Sequence, residues 1–155
     1  MSEAPDKAEI VALPPVIFAG FLLFGLLVNR FWPTPWLGAG AGSAAGYALI
    51  ALAVALAGSA VWAMKRHQTT IDPRGATTAL VSGGPFRFTR NPLYVSLALL
   101  NLAAACFADS LIMLALTVPL VIVLQQGVIR PEERYLERKF GEAYRQYQTR
   151  VRRWL

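Results

Sequence analysis

Polar and apolar positions along the chain fall into long blocks. From Pro14 to Phe31 the only strongly polar side chains are Asn29 and Arg30, at the far end, and from Leu37 to Met64 there is no charge. Both blocks exceed the ~18 apolar residues that read as a membrane-spanning helix. Pro92 to Ala108 is about one further span and Leu111 to Ile129 another, with Asp109-Ser110 as a tight turn between them. The pattern predicts an all-α integral membrane protein of four transmembrane helices, the last two a hairpin, with a C-terminal amphipathic cytoplasmic helix. One domain covers residues 1–155: a mobile N-terminus (1–13), two transmembrane helices (14–63), a cytoplasmic loop (64–91), the helical hairpin (92–129) and the amphipathic helix (130–155).

Within these blocks a few residues break the pattern. Asn101 lies near mid-membrane, where a polar group faces another helix, and an interhelical hydrogen bond is expected for it. Pro119 interrupts the fourth helix and is expected to tilt its cytoplasmic half, opening a lateral cleft beside it. In the tail, Leu136, Phe140, Ala143, Tyr144, Tyr147, Val151 and Trp154 recur every three or four residues, and a basic opposite face with Arg138, Arg145 and Arg152 suits the lipid surface. At about 100° per residue Glu133 falls near the centre of that apolar face, with Glu132 near its edge. A buried acid needs a partner, either an arginine of the loop or a bound cation. Both acids also follow Pro131 in the first turn of the tail helix, where the helix dipole favours them.

Composition agrees with the blocks, since 55% of the chain is hydrophobic and 15% charged. Charge then orients it: of the 15 Lys and Arg, Arg30 alone falls on the side opposite the loop and the tail. The positive-inside rule makes the basic side cytoplasmic and places both termini there, in a cytoplasmic (inner) membrane. A cleaved leader needs a positive start, whereas Met1 to Leu13 carries Glu3, Asp6 and Glu9 against Lys7. The net charge of +6 sits beside membrane spans, where it meets anionic head groups, and no nucleic-acid motif accompanies it. A single Cys106 excludes a disulfide framework and a multi-cysteine metal site. The run Gly38 to Gly46 lacks the preceding strand and following acid of a dinucleotide loop; small residues four apart serve close helix packing instead. Trp32 and Trp36 in the Trp-Pro-Thr-Pro-Trp link are interface anchors.

Candidate chemistry concentrates in Gly84-Pro-Phe-Arg-Phe-Thr-Arg-Asn-Pro-Leu-Tyr94, at the end of the long polar loop and the mouth of the third span. Gly83-Gly84-Pro85 offers backbone N–H groups with little cover, and Arg87 and Arg90 supply cations. The segments Gly84-Pro85-Phe86, Arg90-Asn91-Pro92-Leu93-Tyr94 and Glu132-Glu133-Arg-Tyr-Leu136, followed by Phe140-Gly141, Tyr144 and Tyr147, together resemble the isoprenylcysteine carboxyl methyltransferase and phospholipid methyltransferase family of integral-membrane enzymes. The likeness covers residues ~69–155 through two separated motifs. Two departures bear on the acceptor: Asn91 stands where the eukaryotic carboxyl methyltransferases have His, and Ser96 where many members have Gly.

The resemblance implies S-adenosylmethionine as methyl donor, held on the cytoplasmic side between the loop, the last two membrane helices and the tail. Carried over, it nominates Gly84, Phe86, Arg87, Arg90, Asn91, Pro92, Tyr94, Glu132, Glu133 and Leu136 as cofactor-binding, with Glu133 and Arg90 central to catalysis. Arg90 or Arg87 suits the cofactor's carboxylate, Glu133 its ribose or cationic end, and Tyr94 a stack on the sulfonium. The acceptor is a lipophilic molecule from the bilayer, isoprenylcysteine carboxylate-like or a lipid. Two rivals remain open: a sterol-reductase-like membrane reductase with a nicotinamide cofactor, and a non-catalytic membrane protein binding lipid or a partner. Oligomeric state is open as well.

Overall fold

A computed structural model describes residues 7–72 and 75–155, with the backbone alone at Ala39. Every regular element among them is helical: α1 (Pro14–Phe31), α2 (Ala39–Arg66), a 3₁₀ turn (Gly84–Arg87), α3 (Pro92–Phe107), α4 (Leu111–Ala115), α5 (Thr117–Leu124), a π-helical turn (Gln125–Ile129), α6 (Arg130–Phe140) and α7 (Glu142–Arg150). Three helical runs are long and apolar enough to cross a membrane: Pro14–Phe31, Gly40–Arg66 and Leu111–Phe140. Pro92–Phe107 is apolar but shorter. Its 16 residues rise about 24 Å, against a hydrocarbon core of about 30 Å.

The third long run is continuous but irregular, and its two prolines account for the irregularities. Pro119 has no N–H for the Ala115 carbonyl, and the α-helix breaks at Leu116 between α4 and α5. Pro131 likewise gives nothing to the Gly127 carbonyl, which accepts the Val11 N–H at 3.0 Å instead. Helix therefore runs through the π turn into α6, so Glu132 and Glu133 do not stand at a free helix N-terminus, and the dipole argument for them fails. The tail is also not one helix. Gly141, at φ +53°, separates α6 from α7, and after Arg150 the chain becomes extended.

Tyr94, Leu120, Leu124, Val128 and Ile129 form a buried cluster, against which Ile10, Ile17, Phe18, Phe21, Leu97 and Trp154 pack. Phe24 and Phe31 point outward, as do Trp32 and Trp36. The lead-in expected to be mobile over 1–13 packs from Ala8 onward: Ala8 is buried and Ile10 joins the cluster. Residues 1–6 of that expectation lie outside the described residues, as do Pro73 and Arg74 of the loop. α2 meets α3 through two of its glycines. A Cβ at Gly42 would lie 2.5 Å from the Cys106 carbonyl oxygen and one at Gly46 2.7 Å from the Phe107 ring, while Gly40 and Gly58 face open space. Asn101 makes the interhelical hydrogen bond expected of it, donating to Thr117 Oγ1 at 2.9 Å and to the Met113 carbonyl at 3.3 Å.

Candidate active site

Gly84, at φ +59°, admits the chain to the 3₁₀ turn, and Asn91 and Pro92 start α3 directly after it. Pro92 supplies a pre-set φ at the first helical position. Asn91 stands at the N-cap without capping: its side-chain amide donates to the Arg153 carbonyl at 2.9 Å, beside Thr89 Oγ1 at 3.1 Å. The Arg90 N–H donates to the Arg152 carbonyl at 2.9 Å, and Tyr147 Oη donates to the Phe86 carbonyl at 2.7 Å. The signature segment is thus clamped to the tail by four hydrogen bonds.

Around it lies a small cavity of mixed polar and apolar lining, about 70 Å³, walled by the end of α2 (Met64), the loop (Thr69 to Asp72, Thr77, and Ala79 to Val81), Phe86, Arg90 and Asn91, and by Glu132, Glu133, Leu136, Tyr144 and Tyr147 of the tail. Six of the expected residues therefore meet: Phe86, Arg90, Asn91, Glu132, Glu133 and Leu136. Four do not line this space. Gly84 and Pro92 shape the backbone beside it. Arg87 is exposed and faces a separate groove of about 500 Å³ with Arg150. Tyr94 is buried in the apolar cluster, so the structure leaves its ring no open face for stacking in this cavity. It reaches that cavity only through its hydroxyl, which donates to Glu132 Oε2 at 2.8 Å.

Glu133 resolves the question its position poses. It is 8% exposed and bridges two arginines: Arg90 Nη2 lies 3.2 Å from Oε1, and Arg153 donates Nε to Oε1 at 2.9 Å and Nη2 to Oε2 at 2.6 Å. The loop arginine was one of the two partners expected. Arg153 was not, because nothing distinguishes it in sequence from the neighbouring Arg150 and Arg152. The order Val151-Arg152-Arg153-Trp154 does not alternate and carries no signal of its inward turn. Asp72 adds a carboxylate to the cavity wall from the loop side.

Two features give the cavity a chemical character. Arg90 Nε and Nη1 are buried and have no hydrogen-bond partner, although such donors are ordinarily satisfied. Glu132, on the tail beyond the apolar run that ends at Ile129, is pushed up to about 7 by burial, against the lowering effect of the Tyr94 hydroxyl; the Glu133 charge raises it further. The site thus presents an unsatisfied cationic donor and an acid that changes charge near neutrality.

A second cavity, of about 470 Å³ and almost wholly apolar, opens beside it. It is lined by Leu13 to Pro15 before and within α1, by Ala53, Val54 and Ala57 of α2, and by Leu93, Tyr94, Ser96, Leu97 and Leu100 of α3. Ile71 and Asp72 border both cavities. The lateral opening expected beside the kinked fourth helix therefore lies instead among α1, α2 and α3. The helix break at Leu116 is far along the run from Glu132 and is packed on α1 and α3.

Residues 42–143 match the phospholipid methyltransferase family. An uncharacterized protein of Haemophilus influenzae (strain ATCC 51907 / DSM 11121 / KW20 / Rd) is 40% identical over 63 residues, which are 41% of this chain and 100% of that protein. No solved structure matches. The chain belongs to the phospholipid methyltransferase family, and methyl transfer to a lipid-like substrate is the activity that membership carries.

Proposed function

We propose that this family member uses S-adenosylmethionine to methylate a lipophilic acceptor that enters from the bilayer through the apolar cavity among α1, α2 and α3. The observation that carries the proposal is Arg90, a wall residue of the cavity, whose guanidinium nitrogens Nε and Nη1 are buried without a hydrogen-bond partner, beside a larger apolar cavity. Orphaned donors of this kind fit a carboxylate, as the methionyl end of the donor carries.

In this reading Arg90 holds the carboxylate, Glu132 and Asp72 face the cationic groups, and Phe86, Leu136, Tyr144 and Tyr147 supply apolar and aromatic walls for the nucleoside. When bound, the cofactor supplies a methyl group already activated for in-line displacement. The protein's part is alignment and exclusion of water. At about 70 Å³ the enclosed space is below the about 300–1,000 Å³ of ordinary small-molecule sites. Binding therefore requires the loop wall to move away from the tail, to which Thr77 is joined by an N–H donated to Tyr135 Oη at 3.0 Å.

The membrane arrangement belongs to the same proposal. Pro92–Phe107 serves as a fourth crossing, the loop and tail face the cytoplasm with both termini, and the amphipathic tail lies along the cytoplasmic surface. The family match favours methyl transfer over the nicotinamide-reductase and non-catalytic alternatives. Heat protection of the detergent-purified protein tests the choice: protection by S-adenosylmethionine and not by NADPH is expected. Protection by NADPH alone would contradict it.

A further inference from the structure

The chain from Val151 to Trp154 lies beside the site as an extended strap, and its contacts join the signature segment, the π turn and α6. The Arg152 and Arg153 carbonyls accept from Arg90, Thr89 and Asn91 on the signature segment. The Trp154 indole donates to Gln125 Oε1 of the π turn at 2.8 Å. The Arg153 side chain reaches Glu133 on α6 in a side-on bidentate pair. A planar guanidinium bound this way fixes the carboxylate's orientation as well as its charge. Glu133 Oε1 is then presented to Arg90 Nη2, and that single contact leaves Nε and Nη1 of Arg90, a wall residue of the cavity, without a partner.

We infer that Arg153 is a positioning residue, acting through Glu133 to hold the Arg90 guanidinium where it meets the anionic end of the nucleoside ligand. Arg153 does not line the cavity, so its effect reaches a ligand only along this relay. Without it Glu133 keeps one cation in place of two and loses its fixed plane, and Arg90 gains freedom to turn toward both carboxylate oxygens. The ligand's carboxylate then loses its donors while the nucleoside walls stay as they are. This inference rests on the cofactor reading above.

The test is calorimetric titration of the purified full chain with S-adenosylhomocysteine and, separately, with 5′-methylthioadenosine, which shares the thioether nucleoside but lacks the carboxylate. Arg153→Ala and Arg153→Lys are compared with the wild type, Lys keeping the charge without the fork. Both variants are expected to weaken S-adenosylhomocysteine by about tenfold, the loss that follows from one misplaced charge-assisted hydrogen bond, and to leave 5′-methylthioadenosine unchanged. An unchanged S-adenosylhomocysteine affinity, or an equal loss for both ligands, would overturn the positioning role. Failure of the wild type to bind S-adenosylhomocysteine would overturn the cofactor reading itself, and the relay with it. Should Arg153→Ala fold poorly, Arg153→Lys decides alone, with its melting profile as the control.

Discussion

The two ends of the helical bundle are each organised on a carboxylate, and the two are supplied differently. At the end away from the site, Asp109 accepts backbone N–H groups from Trp36, Leu37 and Gly38 at 2.8, 2.8 and 3.2 Å, tying the α1–α2 link to the α3–α4 turn. Those backbone donors, Leu37 first and Trp36 next, hold its carboxyl below the usual range. At the site end, Glu133 accepts from two guanidiniums that bring more donors than one carboxylate takes, and Arg90 keeps two to spare. One carboxylate closes a junction, and the other leaves donors for a ligand. A satisfied anion therefore marks a fastening, whereas an oversupplied one marks a place where something else binds.

The largest effect expected from this contrast is on ligand affinity. Arg90→Ala removes both spare donors and should weaken S-adenosylhomocysteine by about 100-fold, taking ~3 kcal/mol for two charge-assisted hydrogen bonds. Normal insertion and a melting midpoint near wild type, measured alongside, separate this loss from misfolding. An Arg90→Ala protein with wild-type affinity would remove the distinction between the two ends.

Next is a purely steric effect at the fastened end. Gly42→Ala drives a Cβ to 2.5 Å from the Cys106 carbonyl oxygen and should destabilise by about 1–3 kcal/mol. Gly40→Ala, with nothing within 4 Å, should be near neutral in the same thermal scan. Equal behaviour of the two would mean that α2 and α3 are not in close contact there.

A smaller effect is the response to pH. Glu132 is raised from 4.5 to about 7, so the folded chain binds its proton more tightly than the unfolded chain does. Its contribution to stability is present below about pH 4.5 and lost as pH rises through about 7. Over the same interval Glu132 gains its charge, so preference for the cationic S-adenosylmethionine over neutral S-adenosylhomocysteine should increase. Glu132→Gln should flatten both profiles in paired titrations; a slope unchanged by that substitution would assign the titration to another group.

The smallest expected effect is at the half-buried Asp109. Asp109→Asn should lower the melting temperature slightly and leave ligand affinity untouched. Because its folded value is lowered, the advantage of wild type over the variant should be present above the ordinary carboxylate range and shrink as pH falls through the lowered value. Melting curves of the two proteins from neutral to acid pH check this, and a difference that grows in acid would contradict it.

How far the sequence could be read follows from which interactions are local. The apolar runs that became α1 and α2 are visible because hydropathy is a property of neighbours along the chain, and Asn101 was placed on another helix because a polar group in lipid has few alternatives. Glu133 was recognisable as a misfit on an apolar face, which narrowed its partner to an arginine or a cation. Arg153 was not recognisable, since its role depends on the chain leaving helical geometry at Val151 and folding back over residues some sixty positions earlier. Tyr94 shows the converse: its motif was plain, but the motif does not say that its ring would join the apolar cluster and only its hydroxyl would reach Glu132. The break at Leu116 follows from Pro119, but the apolar cavity forms where Leu13 to Pro15 meet α2 and α3, a contact between distant segments that periodicity does not encode.

The most direct test of the account is calorimetric titration of S-adenosylhomocysteine into the wild type, Glu133→Gln and Asp109→Asn, each in detergent and in lipid nanodiscs. Saturable binding is expected in the wild type and Asp109→Asn, with marked weakening in Glu133→Gln. Absence of binding in the wild type, or equal binding in all three, would contradict the claim that the Glu133–Arg90 end is the ligand site.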